Sequence, residues 1–212
     1  MVTPEVGTGP ARRWIVGWTG ASGAIYGVTL VRELLAAGVH VHLVVSDAGW
    51  RVLKEELGWD ATKRWDSLRS GLGLEADDSR LTYHPQGDIG ASIASGSFLC
   101  DGMAVVPCSM GTLSSIAHGA SNNLMMRAAD VTMKEGRPLL LVPRETPLSA
   151  IHLENMLKLA RLGVRIIPAM PAFYYGPQTL EDAVRFMVGK VMDGMGVPHR
   201  LYRRWGHSND EG

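Results

Sequence analysis

Short aliphatic runs of strand length alternate with longer stretches of helical periodicity along most of this chain. Residues 14–18 read as a strand, residues 19–23 as a turn of small residues, and residues 24–37 as a helix closed by Gly38. Residues 39–45 return as a second strand, which completes one βαβ unit with the parallel, right-handed crossover such units adopt. A helix is predicted over 47–57, whereas 67–96 is polar and irregular and predicts loops. Beyond it the alternation resumes, with strands at 103–107, 139–142 and 164–168 and helices at 111–118, 122–134 and 149–162. The helix over 122–134 places Leu124, Met125, Ala128, Ala129 and Val131 at core spacing, and a last helix over 179–194 does the same with Leu180, Ala183, Val184, Met187, Val188 and Val191. Strands that alternate with helices imply an α/β fold, a doubly wound and mainly parallel Rossmann-like sheet.

With 212 residues, 46% of them hydrophobic, the chain suits one α/β domain over 14–206 rather than two. The Gly-, Pro- and Thr-rich opening (1–13) and the end (207–212) are expected to be disordered. Lys plus Arg and Asp plus Glu number 21 each, so no electrostatic argument favours nucleic acid or an acidic membrane, and a small molecule is the expected ligand. No apolar run approaches the roughly 18 residues of a membrane span, no signal-peptide core precedes residue 14, and only Cys100 and Cys108 occur, all of which suggests the cytoplasm.

Candidate chemistry gathers at the predicted strand ends, where open α/β sheets bind ligands. Thr19-Gly20-Ala21-Ser22-Gly23-Ala24 lets backbone approach a ligand and offers helix-terminal amides to an anion, although Ser22 also suits an N-cap. It is neither a dinucleotide fingerprint nor a Walker loop, and so points to a mononucleotide-like ligand. Ser46, and Ser109-Met110-Gly111-Thr112 after Cys108, admit the same two readings of helix cap or ligand contact. Cys108 reads as a small buried hydrophobe, since no His stands where it would activate a nucleophile. Arg144 and Glu145 stand at the end of the 139–142 strand, either as an ion pair in a turn or as a site wall.

Arg127 and Asp130 have the spacing of a surface ion pair, yet Lys134 lies nearly two turns beyond Arg127 and so on the same face, a potential phosphate clamp. Tyr174 and Tyr175, in a proline-bounded aromatic loop, serve as packing or as lid and anion donors. Lys190 reads as solvated, and Trp205 as a ring that needs covering. His84, His118 and His152 show no metal-ligand spacing, so no metal is expected, and His152 is expected to cap its own helix.

Together, Gly-Ala-Ser-Gly-Ala at 20–24, Cys-Ser-Met-Gly-Thr-Leu at 108–113, Arg-Ala-Ala-Asp-Val at 127–131, Pro-Arg-Glu-Thr-Pro-Leu-Ser at 143–149, Ile-His-Leu-Glu-Asn-Met at 151–156 and Phe-Tyr at 173–174 resemble the UbiX-type flavin prenyltransferases. The resemblance spans about residues 14–206 and implies transfer of a dimethylallyl group from dimethylallyl phosphate to N5 and C6 of reduced FMN, without a metal. The product would serve a partner decarboxylase of the UbiD type, and relatives assemble into dodecamers. It assigns FMN to Gly20, Ala21, Ser22, Ser46, Ser109, Met110, Gly111, Thr112 and Arg144. The prenyl phosphate falls to Arg127, Lys134, Tyr174 and Lys190, proton handling near N5 and C6 to Glu56 and Glu145, and stabilisation of electron-poor prenyl carbon to Trp205. Ser22 and Lys134 join Glu56, Glu145 and Trp205 as the catalytic set.

Lys190 stands where many relatives carry Arg, which keeps the charge but loses the bidentate fork. The segment 64–82 matches no family motif. Two rivals compete: an FMN-dependent decarboxylase of a cysteine-containing substrate, and a flavin carrier without chemistry. The decarboxylases use a catalytic His and a Pro-Ala-Ser-Ala-Asn-Thr segment, where this chain has Gly119-Ala120-Ser121-Asn122-Asn123.

Overall fold

The computed structural model describes residues 12–75 and 78–204. Its elements are β1 (Arg13–Trp18), α1 (Ala24–Ala36), β2 (His40–Val45), α2 (Asp47–Leu57), α3 (Arg64–Leu72), β3 (Leu81–Pro85), β4 (Gly102–Cys108), α4 (Met110–Ala117), α5 (Leu124–Lys134), β5 (Leu139–Pro143), α6 (Ala150–Arg161), β6 (Arg165–Ile166) and α7 (Leu180–Met195). The strands form one sheet in the order β3-β2-β1-β4-β5-β6, and every pairing is parallel. That is the doubly wound Rossmann order, whose direction reverses between β1 and β4.

Both faces of the sheet are covered, which is why the central strands read as unbroken apolar runs. Trp14, Val16 and Trp18 of β1 face a core built with α1, α2, α3 and α7; Ile15, from the same strand, faces a second core built with α4, α5 and α6. Leu30, Val31 and Leu34 make α1 the centre of the first layer, each fully buried and each contributing roughly 1.5–3 kcal/mol by leaving water.

The sequence reading misses two elements and overextends another. Residues 67–96, expected as loop, contain most of α3, all of β3 and a 3-10 turn at Ser92–Ala94. β3 is an edge strand in which only Leu81 and His84 are buried, and it ends at Pro85, so no apolar alternation marks it. α3 buries only Leu68 and Leu72. The strand expected over 164–168 pairs for just two residues. Arg13 belongs to β1 rather than to a disordered opening, and the Arg12 carbonyl accepts from His40 N–H at 2.8 Å. Residues 1–11 and 207–212, expected to be disordered, lie outside the described residues.

One contact ties fold to crevice. A Cβ built on Gly20 would stand 2.5 Å from the Ala48 Cβ, so the loop after β1 lies directly against the start of α2. Gly20→Ala is expected to destabilise the protein by about 1–3 kcal/mol through overpacking and to displace the loop. Thermal melting with and without FMN measures both effects.

Candidate active site

The carboxyl ends of β2, β1, β4 and β5 lie side by side and bring Ser46, the 19–23 loop, Ser109 and Arg144 to one crevice at the switch point. Buried Thr19 fixes its centre: its hydroxyl donates to the Pro107 carbonyl at 2.8 Å and accepts from Ser109 N–H at 2.8 Å. This link between the first and third loops was not foreseen, although a Thr immediately before Gly20 at a strand end is a signal for it. Ser109 caps α4, accepting from Thr112 N–H at 3.3 Å, and its hydroxyl meets that of Thr112 at 3.0 Å. The amides of Met110 and Gly111, in the first turn, have no acceptor within the helix. Gly111 is exposed and a Cβ there would meet nothing within 4 Å, so this turn leaves room beside its backbone, and helix-terminal amides of this kind suit an anion. Ser46 likewise caps α2, accepting from Gly49 N–H at 2.9 Å. Both serines therefore hold the cap role while standing at the crevice.

Ser22 is not a cap. The cap of α1 is Gly23, at φ 101°, and the helix-terminal amides are taken from another helix: the Glu56 carboxylate, in the last turn of α2, accepts from Gly23 N–H at 3.0 Å and Ala24 N–H at 2.8 Å. A carboxylate at a helix N-terminus is favoured by both the unpaired amides and the macrodipole. Glu56 is thereby set beside exposed Ser22. Across the crevice, Arg144 Nε donates to the Ser22 carbonyl at 3.1 Å, so Arg144 joins the first loop rather than Glu145. Glu145 instead accepts from Thr146 N–H at 2.9 Å, so of the two readings open for these neighbours the ion pair is not the arrangement found. Tyr26 stands near enough to feel Arg144; burial raises its phenol above the usual value and the guanidinium partly offsets this.

The remaining candidates stand elsewhere. Arg127 pairs with Asp130 at 3.2 Å and donates to the Ala94 carbonyl, while Lys134 pairs with Glu135 at 2.6 Å and holds that carboxyl below its usual range. The two cations do share a face, as their spacing predicts, but it runs along the 92–96 segment: Lys134 Nζ lies 3.1 Å from where a Gly96 Cβ would be. Lys134 ends α5, just before the chain enters β5, and so lies at the amino end of the strands, opposite the crevice. A single copy does not bring it to Ser22 or Arg144.

Tyr174, 57% exposed, and Tyr175 both contact Phe186 of α7, with Lys190 one turn further along that helix. These two phosphate candidates share a link to Phe186, Tyr174 through its ring and Lys190 through one helical turn, and so define a patch along α7. Cys108 is fully buried with its thiol pushed up to about 12, which suits packing and not nucleophilic attack. His152 completes a capping box with Ser149. Among the described residues no cluster of three His, Cys, Asp or Glu could hold a metal, and no helix is long and apolar enough to cross a membrane. Trp205 lies outside the described residues.

A strand-end crevice with helix-terminal amides, capping hydroxyls and one arginine is the arrangement of a mononucleotide-binding α/β protein. A family model described as Flavoprotein matches residues 4–192. The flavin prenyltransferase UbiX of Halalkalibacterium halodurans is 52% identical over 200 residues, covering 93% of this chain and 95% of that protein. Among solved structures, AnUbiX (PadA1) in complex with FMN and dimethylallyl pyrophosphate superposes with a TM-score of 0.83 at 38% identity, over 94% of this chain and all of that one. A dodecameric FMN-dependent UbiX-like decarboxylase from Escherichia coli O157:H7 superposes with a TM-score of 0.82 at 44% identity, over 92% of this chain and all of that one. Fold and crevice thus define a flavoprotein. Within that class the chain belongs to the UbiX family of flavin prenyltransferases.

Proposed function

We propose that this chain joins the dimethylallyl group of dimethylallyl phosphate to N5 and C6 of reduced FMN, releasing phosphate. The observation that carries the reading is the crevice itself: in a chain 52% identical to a flavin prenyltransferase, the four loops that the resemblance assigns to FMN meet at one switch point. The donor set fits the ligand. Ser46, Ser109 and Thr112 hydroxyls, the first-turn amides of α4 and the Arg144 guanidinium suit a phosphate and polar ring edges, and the open space above Gly111 leaves room for close approach.

Bound reduced FMN supplies nucleophilic positions at N5 and C6. Every other requirement falls on the chain. Gly20, Ala21 and Ser22 would help hold the flavin, and Glu56, held beside them by the α1 amides, would take up and return protons near N5 and C6 together with Glu145. Arg127, Lys134, Tyr174 and Lys190 neutralise the departing phosphate, where charge develops as the carbon–oxygen bond breaks. The resemblance alone assigns Trp205 the role of stabilising the electron-poor prenyl carbon. No metal is required for these roles.

Lys134 stands at the amino end of the strands, away from the crevice, so in this reading a second copy of the chain delivers it, together with Arg127, to the crevice. The protein is then a homo-oligomer, a dodecamer, acting in the cytoplasm, and its prenylated FMN passes to a UbiD-type decarboxylase.

Phosphate release from dimethylallyl phosphate that depends on reduced FMN tests the activity; release without flavin, or none with it, contradicts the proposal. Arg144→Ala is expected to weaken FMN binding roughly 10- to 100-fold, the usual cost of losing hydrogen bonds to a charged group, as read by flavin fluorescence titration. At FMN concentrations too low to fill the Arg144→Ala crevice, co-expressing Arg144→Ala with Lys134→Met is expected to restore activity that each variant lacks, because mixed oligomers contain some crevices with both native residues. No recovery in verified mixed oligomers would place Lys134 outside its neighbour's site.

A further inference from the structure

Behind the Tyr174–Lys190 patch lies a polar hub that the proposed reaction does not use. Asp193, in the last turn of α7, receives three side chains from the segment that follows the helix. His199 Nε2 donates at 3.0 Å, Arg204 at 2.7 Å and the Tyr202 hydroxyl at 2.5 Å. The tautomer of His199 is fixed, since its Nδ1 accepts from Leu201 N–H at 3.2 Å and leaves Nε2 to donate. These bonds hold Asp193 down at about 2, against the opposing effect of its burial, and push Tyr202 up to about 12, chiefly by burial and then by the carboxylate. The hub is therefore a carboxylate held as an anion by donors from three side chains.

Its geometry leads back to the patch. Tyr202 lies across α7 at Gly189, where a Cβ would stand 2.6 Å from its ring and 2.8 Å from that of His199. Only glycine admits both rings. Tyr202 packs on Phe186 with centroids 4.9 Å apart, and Phe186 in turn stacks on Tyr175 at 5.0 Å and meets Tyr174 edge-on at 6.1 Å. Lys190 adjoins Gly189 on the helix and lies one turn from Phe186. The rings thus connect Asp193 to Tyr174, and the helix connects it to Lys190.

We propose that Asp193 is a positioning residue for the prenyl-phosphate patch: by clamping Tyr202 across Gly189 it fixes the Phe186 platform on which Tyr174 rests beside Lys190. The inference rests on the assignment of dimethylallyl phosphate to that patch. A residue acting at this remove alters recognition of the donor while leaving the flavin crevice intact.

The test measures the dissociation constant of dimethylallyl phosphate by calorimetry on oligomeric protein loaded with oxidised FMN, so that no turnover is needed. Asp193→Asn is expected to weaken donor binding about tenfold, with FMN affinity unchanged; Tyr202→Phe, which keeps the ring and loses the clamp, is expected to weaken it by a smaller factor in the same direction. If wild type binds the donor and both variants bind it equally well, the inference is overturned. If wild type does not bind it, the assignment beneath the inference fails first. Should Asp193→Asn not fold, Tyr202→Phe decides alone: weakened donor binding supports the clamp, and unchanged binding overturns it.

Discussion

Lys134→Met is expected to leave FMN binding unchanged while lowering the rate of phosphate release by about 100- to 1,000-fold, the usual effect of removing one preorganised group that faces developing charge. Methionine keeps the length and the methylene stem of the side chain and removes the cation. The local cost is small, because the Lys134–Glu135 pair has side chains 49% and 34% exposed and such a pair contributes about 0–1 kcal/mol to stability. Any large loss of rate therefore reports on chemistry rather than folding. A single-turnover assay with reduced FMN separates donor binding from transfer. Turnover near the wild-type rate would leave Lys134 as one half of a surface ion pair, the plainer reading of its position in an isolated copy.

Glu56→Gln is expected to lower the prenylation rate by about 100- to 10,000-fold, the range in which a positioned proton carrier contributes, again with little change in FMN affinity. The substitution separates two roles combined in one carboxylate. Glutamine retains an oxygen that accepts from Gly23 and Ala24 N–H, so α1 remains capped. It loses the negative charge at the helix terminus, a loss of about 0.3–1 kcal/mol at an exposed site, and it cannot relay a proton. A modest fall in melting temperature accompanied by a collapse in rate is the expected pattern. A matching fall in melting temperature with full activity would reduce Glu56 to a helix cap supplied from a distance.

Much of the crevice was legible in the sequence because its parts are local. Gly20 to Gly23, Ser46, Ser109 to Thr112 and Arg144 each stand at the end of an aliphatic run, and a doubly wound sheet places such ends in one row. Glu56 was not legible in this way. It reaches the α1 amides from a helix 33 residues further along the chain, and no spacing rule connects the two; only the resemblance marked it. Arg127 and Lys134 show the opposite case, since helical spacing placed them correctly on one face but could not say what that face meets. In the isolated chain it meets the 92–96 segment.

The misses in the fold have equally physical causes. β3 carries too few buried residues to show a strand period, and α3 too few to show a helical one, because both lie at the edge of the sheet where little surface leaves water. The Asp193 hub was missed for another reason. Its partners His199, Tyr202 and Arg204 follow in a stretch without regular structure, where composition alone suggests only a polar segment. Gly189, buried inside a helix where glycine is otherwise costly, was the available signal.

The central claim is that this crevice supports bond formation on the flavin rather than flavin binding alone. The most direct measurement is the mass of the flavin extracted after pure protein has been incubated anaerobically with reduced FMN and dimethylallyl phosphate. The account predicts a flavin heavier by one dimethylallyl group in place of a proton, with phosphate released in equal amount; an unmodified FMN recovered from fully loaded, correctly assembled protein would contradict it.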